Sequence, residues 1–271
     1  MTTAAAPISA QFDMGRVVRR TSQVIGSSWR TLGLLAMPAI LVEFLITAAQ
    51  GSVKVELSPA KANSTAAAPP DLGQAFAMLG WMILILLVTF AAYGLLEAAL
   101  VRAAVLDLEG DRVTVRASVA AVLRRIVPMV GLSLVGMVGI ILGTCLFVVP
   151  GILMMIRWAV AVPVLVVEGG GVFNALGRSM RLTQGHGRKL FALGAVYLLL
   201  AWIITVAVPA ATAGFNQQVS DSIILTWLAF CVRALTSVVQ LVIGSAGLGA
   251  VYYELRSIRG AGPDSLASVF D

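Results

Sequence analysis

Six stretches of the chain are apolar almost without interruption: Thr31 to Gln50, Ala75 to Leu96, Val127 to Val149, Gly151 to Val167, Leu190 to Ala213, and a long run ending near Leu255. A helix needs about 20 apolar residues to cross about 30 Å of hydrocarbon. The pattern therefore predicts an all-α, polytopic membrane helix bundle with six transmembrane spans. Pro150-Gly151 separates the third run from the short fourth one, and a Pro-Gly pair predicts a hairpin there. The polar leader before Thr31 is long and Glu43 interrupts the first run, which fits an uncleaved span better than a signal peptide.

Between the runs lie segments of a different period. Val115, Val119, Val122 and Ile126 recur at helical spacing, as do Val172, Leu176, Met180 and Thr183, and less regularly Met14, Val18, Thr21, Ile25 and Trp29. Each predicts a short amphipathic helix preceding two spans. Such a helix either lies at the membrane surface, with its arginines among anionic headgroups, or packs under the bundle with a solvated basic face. Residues 18–32 align without gaps on 176–190, matching Arg20 with Arg178 and Arg30 with Arg188, which suggests an internal repeat of amphipathic helix, span, span. The organisation expected is a cytoplasmic amphipathic segment over 1–30, a membrane domain over 31–255 and a cytoplasmic tail over 256–271.

Composition agrees with this reading: of 271 residues 59% are hydrophobic and 12% charged, and mean hydropathy is +0.95, too apolar for a water-soluble fold. The net charge of +6 could suggest nucleic acid, but the position of the charges decides otherwise. With the N-terminus inside, the inner segments hold Arg16, Arg19, Arg20, Arg30, Arg102, Arg112, Arg116, Arg124, Arg125, Arg178, Arg181, Arg188, Lys189, Arg256 and Arg259, against Lys54 and Lys61 outside. That asymmetry predicts both termini in the cytoplasm. Arginine-rich, Ala/Val/Gly-rich usage points to a bacterial inner-membrane protein. Arg116, Arg124, Arg125, Arg178, Arg181 and Arg188 are the candidate contacts to lipid headgroups, and anionic lipid is the expected partner, with an envelope protein as a second.

Candidate chemistry is sparse. His186 is the single histidine, Cys145 and Cys231 sit in apolar runs, and no carboxylate pair, zinc motif or serine triad stands out. Neither catalysis nor a cofactor is expected. Gly169-Gly170-Gly171 reads as a flexible link into a helix. Gly139 with Gly143, and Ser245 with Gly249, are small-residue pairs that let helices approach, within the chain in preference to a dimer seam. Charges inside the spans are more informative, since each costs about 2.5 to 3.5 kcal/mol at a helix centre. Glu43 precedes Gln50 by seven residues and Arg157 follows Pro150 by seven, which puts both ~10 Å below the outer surface. An ion pair between them is the structural expectation, and a substrate or proton site on Glu43 the functional one. Arg233 is expected to reach the outer interface, and Glu97 to lie near the inner end of the second span.

The stretch Val149-Pro150-Gly151-Ile152-Leu153, followed by Arg157-Trp158, Pro163 to Glu168 and Ala175 to Thr183, resembles the membrane domain associated with bacterial glycerophosphoryl diester phosphodiesterases and related inner-membrane proteins. Tyr252 to Arg256 and Leu266 to Asp271 fit the same pattern. In fused members of that family a separate soluble barrel hydrolyses the phosphodiester. The sequence ends 15 residues after Arg256, so the resemblance implies a membrane module without that activity, linked to lipids or envelope assembly. The expectation is a non-enzymatic scaffold or lipid-associated accessory. A small transporter or channel with its site near Glu43 and Arg157 is the alternative, and an intramembrane enzyme ranks third.

Overall fold

The computed structural model describes residues 12–56, 72–111, 113–216 and 223–260. The segments at 51–74 and 214–222, expected outside the cytoplasm, and the end of the tail lie mostly outside them. In chain order the helices are α1 (Met14–Ala36), α2 (Pro38–Glu56), α3 (Leu72–Glu109), α4 (Val115–Leu123), α5 (Ile126–Leu146), α6 (Val148–Trp158), α7 (Ala161–Val167), α8 (Val172–Thr183), α9 (Gly187–Asn216) and α10 (Ile223–Gly260).

Among the described residues five stretches are long and apolar enough to cross a membrane alone, and the pair α1–α2, bent by 41°, makes six if it is taken as one span. The protein is a multi-pass membrane protein built as an all-α bundle. α3 and α10, each 38 residues, extend ~57 Å and outrun a hydrocarbon layer of about 30 Å. Their packed halves lie together. Ala98 to Val105 of α3 and Ala246 to Leu255 of α10 form a core with Val17, Val24 and Leu32 of α1, the α7 residues Val164 to Val166, and Leu176 and Leu182 of α8. Elsewhere the helices turn large apolar side chains outward, among them Phe76, Trp202 and Leu146, the last 72% exposed. Lipid covers such a surface where water could not.

Glycines set the closest contacts. A Cβ on Gly139 would stand 2.5 Å from the Trp158 ring, one on Gly143 would stand 3.1 Å from Gly151 Cα, and one on Gly249 would stand 2.9 Å from Ala104 Cβ. Both small-residue pairs thus pack helices of the same chain, α5 on α6 and α10 on α3.

Two boundaries differ from expectation. The hairpin turns at Phe147, extended at φ −158° and ψ 144°, and Pro150-Gly151 belong to the first turn of α6. A proline there forfeits no helical hydrogen bond, because the first N–H groups of a helix are unpaired anyway. The fourth run is also broken at Ala159-Val160 into α6 and α7. In α1 the buried residues are Val17, Val24, Leu32, Leu35 and Ala36, while Val18 and Trp29 of the expected face are 59% and 61% exposed. α4 and α8 begin at the expected residues. Thr114 caps α4 by accepting from Ala117 N, and Gly169 and Gly170, at φ 83° and 91°, turn the chain into α8.

α1 starts at Met14 and α8 at Val172, 158 residues apart. Ser28, with non-helical φ −114° and ψ 22°, interrupts α1 at the position that aligns with His186, the residue separating α8 from α9.

Candidate functional site

Glu43, 5% exposed, is the intramembrane carboxylate of the first run, and its partner is not Arg157. Arg233 Nε on α10 approaches Glu43 Oε1 at 2.6 Å without hydrogen-bond alignment at that oxygen, so the contact is one of charge with charge. Tyr93 Oη on α3 donates to Glu43 Oε2 at 3.1 Å. Arg157 is held elsewhere: its carbonyl accepts from Ser179 Oγ at 2.8 Å and Thr183 Oγ1 at 3.4 Å on α8. α2 packs on α3 and α10, whereas α6 packs on α5, α8 and α9. Equal depth did not mean adjacency, and Arg233 is the cation that α10 brings to the first span.

Tyr93 also lines a cavity of about 920 Å³ between α1, α3, α6, α9 and α10. Its wall is mostly aliphatic, from Ile25 on α1 to Ile156 on α6, Leu193 on α9 and Leu248 on α10. The α1 residues expected to form an apolar face, Val18, Thr21 and Ile25, border this space. Polar groups are few: Tyr93, Tyr197, Thr21, Ser22, Ser245 and one acid, Glu97. No Lys, Arg or His is among the lining residues. Tyr197 lies within electrostatic reach of Glu97 and donates its hydroxyl to the Gln240 carbonyl at 3.1 Å. Ser245 Oγ is buried without a hydrogen-bond partner.

At the packed end of the bundle, acids meet the arginines. Glu254, 1% exposed, takes Arg16 at 2.7 Å and also Arg20, fastening α1 to α10. Ser27 and Ser28 donate to the two oxygens of Asp107 at 2.5 and 2.6 Å, and Arg256 pairs with Glu109 at 2.9 Å. Two of the arginines expected to meet lipid are engaged within the protein. Arg178 pairs with Glu168 at 3.1 Å, and Arg125 donates to the Leu165 carbonyl at 3.2 Å, where a cation complements the C-terminal end of α7. Arg116, Arg124, Arg181 and Arg188 are exposed, with no ion pair or side-chain hydrogen bond among the described residues.

Sequence reasoning found Glu43 and missed its true surroundings. Tyr93 gives no signal in an apolar run, and the cavity is assembled from five separated segments that no local pattern connects. His186, stacked at a tilt 6.0 Å from Phe12, belongs to the α8–α9 turn and lies apart from the cavity. No protein-family model matches the chain, and neither does any curated protein or solved structure.

Proposed function

We propose that this chain is a non-enzymatic, lipid-associated accessory protein of a bacterial inner membrane that shelters a lipophilic molecule between α1, α6 and α9. The observation that carries the reading is the cavity of about 920 Å³ with its aliphatic wall, a volume in the range of small-molecule sites. Arg116, Arg124, Arg181 and Arg188 supply a second contact with lipid, binding anionic headgroups on the cytoplasmic side. With both termini cytoplasmic, these four face the leaflet whose anionic lipids attract basic segments. The resemblance to the membrane domain associated with glycerophosphoryl diester phosphodiesterases supports a lipid-linked role without a hydrolytic one.

The test is native mass spectrometry of the protein released from nanodiscs. The wild type should retain a bound lipophile. Gly194→Leu should release it, since Gly194 lines the cavity with open space where its side chain would go. Equal retention by both proteins would place the lipid on the outer surface and remove the reading.

A second reading, a small transporter, is favoured by the contact between Tyr93 and Glu43, which joins a charged pair to the cavity wall. Uptake into proteoliposomes that is abolished in Glu43→Gln would support transport over sheltering.

A further inference from the structure

Glu97 stands out among the cavity residues because no described residue answers its charge. Every other buried or half-buried carboxylate described above has a partner: Glu43 has Arg233 and Tyr93, Glu254 has two arginines, Glu168 has Arg178 and Tyr252, Glu109 has Arg256, and Asp107 has two serines. Glu97 has neither an ion pair nor a side-chain hydrogen bond among the described residues, and it faces a space without a basic residue in its lining. A carboxylate beside an apolar cavity in a membrane protein is relieved either by taking up a proton or by meeting a counter-charge, and the empty volume is the place from which a counter-charge can come.

The lining narrows the chemistry. An anionic headgroup would find no cation there and would meet Glu97 head on. A neutral lipophile would fill the space and leave the acid unanswered. A lipophilic cation satisfies both features, placing its apolar body against Ile152, Met155 and Leu241 and its charge at Glu97. Tyr93, Phe191 and Tyr197 add aromatic rings to the same wall, and ring faces attract ammonium and phosphonium groups. We infer that the cavity is a binding site for a lipophilic monocation, such as an alkylammonium amphiphile, with Glu97 as its counter-ion. This rests on the reading of the cavity as a lipophile shelter and adds the sign of the occupant's charge.

The experiment compares three probes on protein in nanodiscs, with empty nanodiscs subtracted: tetraphenylphosphonium, tetraphenylborate of the same shape and opposite charge, and neutral triphenylphosphine oxide. The wild type should bind the phosphonium at least tenfold more tightly than the oxide, and the borate not at all. Glu97→Gln should bring the phosphonium down to the level of the oxide while leaving oxide binding intact, which also shows that the variant folds. Glu97→Asp should keep part of the preference, and Gly194→Leu should abolish binding of both. If the wild type does not distinguish phosphonium from oxide, or Glu97→Gln retains the preference, the inference fails while the lipophile reading stands. If no probe binds above empty nanodiscs, both fail.

Discussion

Tyr93 and Glu97 stand one helical turn apart on α3, so both border the same cavity, yet among the described residues only Tyr93 has a side-chain partner, Glu43. The tyrosine hydroxyl fixes one oxygen of Glu43 and leaves the other to Arg233.

That division predicts how the pair answers substitution. Glu43→Gln should lower thermal stability in detergent by about 1 to 3 kcal/mol, below the 3 to 5 typical of a broken buried pair, because Arg233 is largely exposed and screened. Arg233→Met should cost a similar amount, and the double variant should recover much of it. Arg157→Met should show no coupling to Glu43 in a double-mutant cycle. Coupling to Arg157 and none to Arg233 would overturn the assignment.

Glu254 gives a larger effect. Its substitution by Gln takes the charge from a carboxylate that is 1% exposed and that binds both Arg16 and Arg20, and breaking a buried pair costs about 3 to 5 kcal/mol. Hydrogen exchange should quicken in 14–27 of α1 while α5 and α6 keep their protection. Uniform loosening of all helices would show that α1 has no separate attachment.

Gly151 should resist enlargement. A Cβ there would lie 2.3 Å from Thr144 Oγ1 and 2.9 Å from Thr144 N. The backbone contact cannot be relieved by a rotamer change, so Gly151→Val should destabilise the α5–α6 hairpin by about 1 to 3 kcal/mol. Gly136, with open space at its Cβ, is the control on α5, and Gly136→Ala should be harmless in the same melting experiment.

Orientation is tested by fusion. A reporter active only outside the cytoplasm should be silent near Glu109 and after Asp271, and active within 58–70. Activity after Asp271 would require an odd number of spans.

The helices were legible because a long apolar run in lipid satisfies its backbone as a helix, and α4 and α8 begin at Val115 and Val172, the first residues of their apolar periods, the latter just after the glycines at 169–171. Inter-helix geometry was not. Counting depth from Pro150 placed the turn three residues late, since the chain turns at Phe147, although 149–167 still serves as one span. Depth alone cannot say which neighbour α2 faces, and Arg233 was assigned to the interface on distance from Arg256. The face of α1 was read from Val18, Thr21 and Ile25, which border the cavity. The buried row of Val17, Val24 and Leu32 lies one residue away from it.

Phe147 is the single non-helical residue between α5 and α6, and the glycines at 139, 143 and 151 bring the two helices into close backbone contact. A nascent chain leaving the ribosome therefore has no slack with which to deliver these segments one after the other. α5 and α6 must enter the bilayer together as a preformed helical hairpin, so a charge introduced near Phe147 should block the membrane integration of both at once.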